Sequence, residues 1–288
     1  MSHTSLRVPD SVRALVVASH NLMHALRLPA LIRHYTALRD QQGLDLLCLQ
    51  ENRFLTEEAD LPSDRIAAAL GPDYRVVRED GCPGLAFVHD ARTLTCAAQA
   101  IAPLPLLAKL TPFERLYIRG GKTKQKYVLL AEMSARGGDG QAARFGAACF
   151  HLDTAGGNTH RAAQVEAIAA ALRARGLQRG FVACGDSNAF AWRRQPEALQ
   201  RLLAPLAALG ASDPGTHPTH YFARQNEGTF IHGTGVLLGK LGLDIPLRYD
   251  VVCSNLTVAD RGQVVTPDSD HDLVWARIDF GALGAHGH

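Results

Sequence analysis

The chain has 288 residues, of which 47% are hydrophobic and 20% are charged, with a formal net charge of +2. This composition is typical of a globular protein that can bury a sizeable core, and it argues against intrinsic disorder. The small net charge excludes the global basic field that signals obligate nucleic-acid binding, so electrostatic steering of a ligand has to be local.

Short apolar runs rich in β-branched residues alternate with segments of helical periodicity. In chain order they predict a strand at 13–18, a helix at 29–42, a strand at 45–50, a helix at 63–70, strands at 74–77, 85–89, 127–133 and 145–152, a helix at 158–175, a strand at 180–184, a helix at 196–209, and strands at 248–254 and 273–278. Asn158 or Thr159 is the expected cap of the third helix, and Gly176 its stop.

Strands that alternate with helices, mixed with runs of consecutive strands, predict a mixed-sheet α/β fold covered by helices. We expect residues 1–288 to form a single domain, with loose termini at 1–10 and 281–288. The glycine-rich stretch 137–140 is expected to join two strands. The stretch from 210 to 246 has no clear period, and a long irregular loop inside a compact domain is typically functional.

The sequence also bears on the compartment. No segment is long and apolar enough for a transmembrane helix, and residues 1–10 are polar, without the apolar core of a signal peptide. Four of the six cysteines, Cys48, Cys149, Cys184 and Cys253, lie within apolar runs. We therefore expect a cytoplasmic protein without membrane insertion, whose cysteines are small buried hydrophobes in a reducing compartment.

Polar residues stand at the ends of many predicted strands. They are Asn21, Glu51, His151, Asp186, Asn188, Asp250, Asp270 and His271. Ligand sites in helix-covered sheets form at strand ends, where loops converge over a rigid platform. Any one of these residues alone is more simply a turn or solvated loop residue, but the complementary set favours a shared site.

Three of these residues, Asn21, Glu51 and Asp270, offer hard oxygen ligands. Such a set suits Mg²⁺ or Mn²⁺, which take few protein ligands and leave positions for water and phosphate oxygens. The sequence therefore predicts a divalent-metal site, with Mg²⁺ as the first expectation and Mn²⁺ as the alternative.

The remaining members of the set suit catalysis on a phosphate ester. Asp186 can orient or deprotonate an attacking water, and Asn188 can donate a hydrogen bond to the phosphate. His151 can stabilise developing charge. His271 can act on a phosphate oxygen or leaving group, provided that a carboxylate, for which Asp250 is the best candidate, holds its other ring nitrogen.

Candidate substrate contacts come from a basic segment and a helix. The basic segment contains Arg115, Arg119, Lys122, Lys124 and Lys126. It is either a phosphate-contact loop, with Lys122 and Lys124 as substrate-binding residues, or a solvated hairpin.

Two further features lie outside these sets. Arg161 follows His151 closely and either faces the same site or forms a surface salt bridge. His217 and His220 form a His-x-x-His pair, but no further ligands are arranged beside it for zinc, and we predict no metal role for them.

Six motifs, taken together and in this order, resemble the endonuclease/exonuclease/phosphatase superfamily. They are His20-Asn21, Leu49-Gln50-Glu51, Phe150-His151-Leu152, Gly185-Asp186-Ser187-Asn188, Tyr249-Asp250-Val251-Val252 and Ser269-Asp270-His271. Two positions depart from the family's pattern: Ser187 stands where the family often has Phe or Leu, and Leu273 where it usually has Pro. Neither change removes a catalytic group.

The resemblance implies a four-layer α/β sandwich, with two mixed sheets packed face to face and helices outside. It also implies site roles that agree with those argued above. Asn21 and Glu51 would hold the divalent metal with Asp270 as a further ligand, and Asp186 would position or activate the nucleophilic water. Asn188 and His151 would stabilise the transition state, while Asp250 would orient His271 toward the scissile phosphate.

We therefore expect a divalent-metal-dependent hydrolase of phosphate esters, most simply a phosphodiesterase or nuclease with nucleic acid as the candidate partner. The alternative is a phosphatase or phosphodiesterase that acts on a small phosphorylated metabolite, nucleotide or lipid headgroup. A third alternative is a non-catalytic binding module with the same fold. No protein partner is indicated.

Overall fold

The computed structural model describes residues 14–56, 58, 60–117, 122–136, 142–191, 194–221, 241 and 246–280. The predicted loose termini at 1–10 and 281–288, the predicted loop at 137–140 and Arg119 lie outside these ranges. In chain order the elements are β1 (Leu15–Asn21), α1 (Leu28–Gln42), β2 (Leu44–Gln50), α2 (Pro62–Leu70), β3 (Tyr74–Val77), β4 (Leu85–Asp90), β5 (Leu94–Pro103), α3 (Pro112–Tyr117), β6 (Tyr127–Arg136), β7 (Ala142–His151), α4 (Gly157–Ala174), β8 (Phe181–Asp186), α5 (Gln195–Ala207), β9 (His220–Tyr221), β10 (Pro246–Leu247), β11 (Asp250–Ser254), β12 (Thr257–Val264) and β13 (Leu273–Asp279).

The strands form two large mixed sheets and a two-stranded ribbon. The first sheet has the order β12-β13-β1-β2-β4-β3 and the second has the order β11-β8-β7-β6-β5, while β9 pairs with β10. Only the β1–β2 and β7–β8 pairs are parallel among the described strands, and each is joined by a crossover helix, α1 or α4. The expected α/β sandwich with mixed sheets is confirmed.

Three apolar clusters separate the layers. The central cluster lies between the two sheets and includes Val17 and Cys48 from one sheet and Leu129 and Cys149 from the other. A second cluster packs α1 and α2 on the outer face of the first sheet, and a third packs α4 and α5 on the outer face of the second. Because the inner strands are buried on both faces, they have continuous apolar runs instead of an alternating pattern.

The elements that the sequence failed to predict lie at the edges or in connections. They are β5, β9, β10, β12 and α3. Strands β5 and β12 are largely exposed edge strands, so their sequences lack the apolar run that marks the buried strands. Strands β9 and β10 have two residues each, too few to show an alternating pattern. Helix α3 has only six residues, too few to show a period.

The start of α4 corrects one further prediction. Gly156, with φ of 84°, is the N-cap residue, and Asn158 lies inside the helix. The Asn158 side chain is occupied elsewhere, since its amide donates to Phe190 O and its oxygen accepts from Phe190 N. The predicted stop at Gly176 is confirmed by its left-handed φ of 70°. All six cysteines are free, and the four predicted to be buried are buried.

One end of both sheets collects the polar strand ends. We call it the site end: it is where β1, β2, β7 and β8 finish, and where β11 and β13 begin. The opposite end is called the far end. Among the described residues, no helix is long and apolar enough to cross a membrane.

Gly185 is required at the close contact between β7 and β8. It lies beside Phe150, and a Cβ atom built on it would come within 2.1 Å of the Phe150 carbonyl oxygen. Backbone cannot yield as a flexible side chain can, so we expect Gly185→Ala to lower the free energy of unfolding by about 3 kcal/mol or more. Urea unfolding would measure this, with Gly84→Ala, where a Cβ would meet nothing within 4 Å, as the control. Equal stability of the two variants would contradict the prediction.

His20 makes the fold sensitive to acid. Its Nε2 donates to His271 O at 3.1 Å, which leaves Nδ1 to accept from the Tyr35 hydroxyl at 2.6 Å. Burial lowers the pKa of His20 from 6.5 to about 3. Between pH 6.5 and pH 3 the His20 imidazole is protonated in the unfolded chain but not in the folded protein. Stability is therefore lost as the pH falls through this range.

Substitution of His20 isolates its contribution to the acid sensitivity. In the wild-type protein, we expect the lowered pKa of His20 to reduce the free energy of unfolding by roughly 2–3 kcal/mol when the pH falls from 7 to 4.5. Urea unfolding of wild type and His20→Gln at both pH values would test it. The variant should be less stable at pH 7 but should lose less on acidification, and an equal loss in both proteins would refute the assignment to His20.

Candidate active site

The first half of the site comes from β1 and β2. Asn21 ends β1 and lies opposite Gln50, so that Glu51 follows on the neighbouring strand. The Asn21 amide donates to Asp186 Oδ2 at 3.0 Å, and its oxygen accepts from Met23 N at 3.0 Å. Glu51 Oε2 lies 3.3 Å from His24 Nδ1, and the Glu51 side chain remains partly exposed. Asn21 thus bridges the two sheets, while Glu51 stays open to a ligand.

The second half comes from β7 and β8. His151 and Asp186 are register neighbours at the ends of these parallel strands, with His151 Nε2 3.6 Å from Asp186 Oδ2. Asp186 Oδ1 accepts from Asn188 N at 2.8 Å, and the Asn188 amide donates to Leu152 O at 3.0 Å. The Asp186 carboxylate is therefore fixed by neighbours from both sheets.

Asp250 and His271 form the pair expected from the sequence. Asp250 begins β11 directly opposite Asp186, and its Oδ2 accepts from His271 Nδ1 at 2.8 Å. His271 Nε2 lies 3.7 Å from Asp186 Oδ2. Asp270, although adjacent in sequence, is not the hydrogen-bond partner of the His271 ring. All three carboxylates are buried.

The charges of this group depend on one another. Burial alone lowers the pKa of His271, but the carboxylates of Asp250, Asp186 and Asp270 outweigh it and raise that pKa well above 6.5. Burial raises the pKa of Asp186, but His271 and His151 outweigh it, and the net pKa is lowered. At neutral pH the site therefore contains an imidazolium beside the Asp186 carboxylate.

His151 has the opposite charge state. Burial, followed by the nearby Lys126 ammonium, lowers the pKa of His151 to about 4. It is neutral at pH 7 and can donate through only one ring nitrogen.

Glu51 and Asn188 adopt left-handed backbone conformations, with φ of 53° and 46°. Such a conformation is unusual for a residue with a side chain and costs on the order of 1 kcal/mol. Both residues lie immediately beyond strands that carry site residues, so the strain is concentrated at the candidate site.

His220 is a member of the candidate site that the sequence did not predict. It is buried, its Nε2 lies 3.6 Å from Asp270 Oδ2, and its ring packs against the rings of His271 and Tyr249. The ligand atoms of His220, Asp270 and His271 lie within 4.8 Å of one another. Because the protonated His271 ring has no free lone pair, Asp270 and His220 are the members of this cluster that could bind a metal ion. Of the predicted metal ligands, Asp270 belongs to this cluster. The His-x-x-His spacing was the only local signal in the sequence that pointed to His220. Its partners Asp270 and His271 lie about fifty residues later in the chain, and the tertiary fold brings them together.

Lys126 is the second such residue. It precedes β6 at the site end, and burial lowers the pKa of its ammonium group although Asp153, Glu51 and Asp186 raise it. Because Val128 pairs with Phe150, Lys126 lies at the end of β6 nearest His151 and the candidate site. The sequence placed Lys126 in the basic segment, but Lys122 and Lys124 were the residues of that segment predicted to bind substrate.

The predicted substrate-binding residues occupy different environments. The buried Arg161 guanidinium donates to the carbonyl oxygens of Asp153 and Thr154 and to Asn158 Oδ1, which fixes the loop after β7. Lys122 and Lys124 are exposed at the site end. Contact of any of the three with substrate stays a prediction.

The sequence matches no family model and no curated protein, whereas its structure resembles solved ones. An endonuclease/exonuclease/phosphatase from Bacteroides vulgatus gives a TM-score of 0.63 at 14% identity, covering 92% of this chain and 98% of the other. A family protein of the same description from Bacteroides thetaiotaomicron gives 0.59 at 17% identity, covering 93% and 98%. Sphingomyelinase C from Streptomyces griseocarneus gives 0.56 at 14% identity, covering 92% and 99%.

The layers, the strand orders and the polar cluster at the site end define a layered α/β sandwich protein with its functional groups at the strand ends. More narrowly, the chain has the fold of the endonuclease/exonuclease/phosphatase proteins, as the sequence motifs predicted. At these identities the likeness establishes the fold alone.

Proposed function

We propose that this protein is a divalent-metal-dependent phosphodiesterase that attacks its substrate with an activated water. The observation that carries the proposal is the Asp186 carboxylate. It receives hydrogen bonds from Asn21 and Asn188, and His151 and His271 both lie just beyond hydrogen-bond distance from it. A carboxylate, a cation and neutral donors around one point suit attack by water on a phosphate.

The residues fit a divalent cation. Glu51 offers a partly exposed carboxylate, and Asp270 offers a second one with an imidazole 3.6 Å away. The Asp270 carboxylate and the His220 imidazole are too far apart for a hydrogen bond and near enough to share an ion. We propose Glu51 and Asp270 as direct ligands, with Asn21 beside them, and Mg²⁺ or Mn²⁺ as the ion. Bound there, the ion would polarise a phosphoryl oxygen and neutralise developing charge.

The side chains around the ion have separate proposed roles. The Asp186 carboxylate orients the water and accepts its hydrogen bond, since its lowered pKa keeps it charged. His271, held by Asp250 and positively charged, contacts a phosphate oxygen, and neutral His151 donates a hydrogen bond to another. Lys126 adds positive charge beside the same group.

The metal prediction can be tested without turnover. We expect Glu51→Gln to weaken Mn²⁺ binding at least about tenfold, because a charged oxygen ligand becomes a neutral amide. Calorimetric titration with Mn²⁺ would measure this. Glu58→Gln, in the same connection but paired with Arg65, is the matched control and should bind Mn²⁺ like wild type. Unchanged binding in Glu51→Gln would remove Glu51 from the metal site.

An activity screen tests the function as a whole. Purified protein with Mg²⁺ or Mn²⁺ should hydrolyse an aryl phosphodiester, and DNA, RNA, phosphomonoesters and phospholipids should be compared in the same assay. A protein that binds Mn²⁺ but cleaves none of these would support the non-catalytic alternative. Preference for a monoester would support the phosphatase alternative.

The substrate class has two main candidates. Nucleic acid was the first expectation, on the strength of the basic segment, and a lipid headgroup was among the alternatives. The names of the similar structures include both endonuclease/exonuclease/phosphatase proteins and a sphingomyelinase.

A further inference from the structure

Large exposed apolar side chains are concentrated at the site end. In the described part of the chain they are Leu26, Leu55, Leu106, Phe113, Phe190, Leu241 and Val265. Phe113 is the most exposed, at 73% of its accessible surface. We call Leu26, Leu55, Leu106, Phe113, Phe190 and Val265 the apolar rim.

The sheet topology places every member of the apolar rim at the site end. Leu26 follows β1, Leu55 follows β2, and Phe190 follows β8. Leu106 and Phe113 lie between β5 and β6, whose paired ends at Pro103 and Tyr127 belong to the site end, and Val265 follows β12 beside the start of β13. The described connections of the far end carry no exposed large apolar side chain.

Hydrogen bonds hold part of the apolar rim in place around the start of α4. Glu114 Oε1, next to Phe113, accepts from Gly156 N at 2.7 Å. The Gln164 amide donates to Pro105 O, next to Leu106, at 3.1 Å. Phe190 is bonded through both its N and O atoms to the Asn158 side chain. The segments that carry three of the exposed apolar side chains are thus anchored to the first turns of α4 and to Gly156 before it.

The same end carries positive charge. Between β5 and β6 the exposed side chains include Lys109, Arg115, Lys122 and Lys124. The one acid in this connection, Glu114, is bonded to the backbone of Gly156 and Thr111. Leu106 and Phe113 therefore lie in a connection rich in cations, and this combination complements an interface with an apolar interior and an anionic surface.

We propose that the site end docks on an anionic lipid surface and that the phosphodiester cleaved belongs to a lipid headgroup. The identity of the substrate rests on the proposed function, whereas docking rests on the surface alone. Stacking on the bases of a single strand uses aromatic rings, which Leu26, Leu55 and Leu106 lack, so a nucleic acid would leave these leucines without a stacking role. In a lipid surface all members of the apolar rim are removed from water together.

Vesicle sedimentation tests the docking. Wild-type protein should bind vesicles of phosphatidylcholine and phosphatidylserine in equal parts, and bind phosphatidylcholine vesicles less. The double variant Phe113→Ser, Phe190→Ser should lose about tenfold or more in partitioning, and Lys122→Glu with Lys124→Glu should lose about as much. Arg175→Glu with Arg179→Glu, exposed at the far end, makes the same change in net charge and should bind like wild type.

Thermal unfolding of each variant verifies that it is folded. Failure of wild type to bind anionic vesicles at low salt would overturn the proposal, as would an equal loss in the far-end variant. Binding of a single-stranded oligonucleotide that depends on Phe113 and Phe190, without vesicle binding, would assign the apolar rim to nucleic acid instead.

Hydrolysis of a small soluble aryl diester by wild type is measured separately. Hydrolysis without vesicle binding overturns the docking and leaves the proposed function standing. Vesicle binding without hydrolysis of any diester overturns the proposed function and leaves the docking standing.

Discussion

Replacing Asp186 with asparagine is expected to lower kcat by about a thousandfold or more, which corresponds to roughly 4 kcal/mol of transition-state stabilisation. The substitution keeps the size of the side chain and removes its charge. Asn21 and Asn188 both donate to this carboxylate, and His151 and His271 both lie near it. A neutral amide in its place would orient the attacking water poorly and leave His271 with less compensating charge.

Asp45→Asn is the matched control for this prediction. Asp45 is also buried, at the start of β2, where its Oδ2 accepts from Val16 N at 2.8 Å. It lies at the far end, so its substitution should cost stability while kcat of the folded protein remains near that of wild type. Initial rates on an aryl phosphodiester with saturating metal would measure both variants. A fall in kcat of less than about tenfold in Asp186→Asn would remove Asp186 from the proposed catalytic role.

The second large effect is expected from His271. We predict that His271→Ala lowers kcat by about a hundredfold to a thousandfold, because a buried cation aimed at the phosphate is lost. Asp250→Asn should produce a fall of similar size with little change in KM. Its amide can no longer accept from Nδ1 in the same way, and the ring loses both its orientation and its positive charge.

The chain offers a close control in His160. Its Nε2 lies 2.8 Å from Asp153 Oδ2, and this nitrogen–oxygen distance equals that between His271 Nδ1 and Asp250 Oδ2. The pair lies at the start of α4 and outside the group around Asp186. His160→Ala should therefore keep kcat within a few-fold of wild type. Equal losses in His160→Ala and His271→Ala would indicate a general structural effect, and the specific role of His271 would have to be withdrawn.

The two parallel strand pairs explain why one fold brings these groups together. Each pair is a strand–helix–strand unit, and each ends at the site end with two polar residues side by side: Asn21 with Gln50, which Glu51 follows, and His151 with Asp186. Because the sheets pack face to face, the two pairs lie opposite each other. The Asn21–Asp186 hydrogen bond joins them directly. Strands β11 and β13 then add Asp250 and His271 from the antiparallel side.

The secondary structure of the buried part followed from the sequence because local patterns encode it. Every predicted strand and helix is present, with ends shifted by a few residues. A strand buried on both faces, such as β2 or β8, has an apolar run that no solvent-exposed element shares. Edge strands β5 and β12 face water, so their composition resembles that of loops and their identity depends on pairing with a neighbour.

The types of site residue could also be predicted from the sequence. Carboxylates, amides and imidazoles at strand ends indicated a site, and the Asp250–His271 pairing expected from the motifs is present at 2.8 Å. Contacts between residues that are distant in sequence were harder to predict. His220 is brought beside Asp270 by the pairing of Tyr221 N with Asp270 O, a contact that no local pattern encodes.

What the sequence determined by itself was therefore local: the buried strands, the helices between them, and the chemistry available at their ends. What only the tertiary structure decided was which of those groups face one another. In the folded protein Arg161 donates hydrogen bonds to the loop backbone, and Lys126 lies at the same end of the sheets as the site carboxylates. The exposed apolar side chains of the connecting loops lie at that end of the molecule as well. The physical reason is that burial and pairing depend on distances through space, which a sequence specifies only through its complete fold.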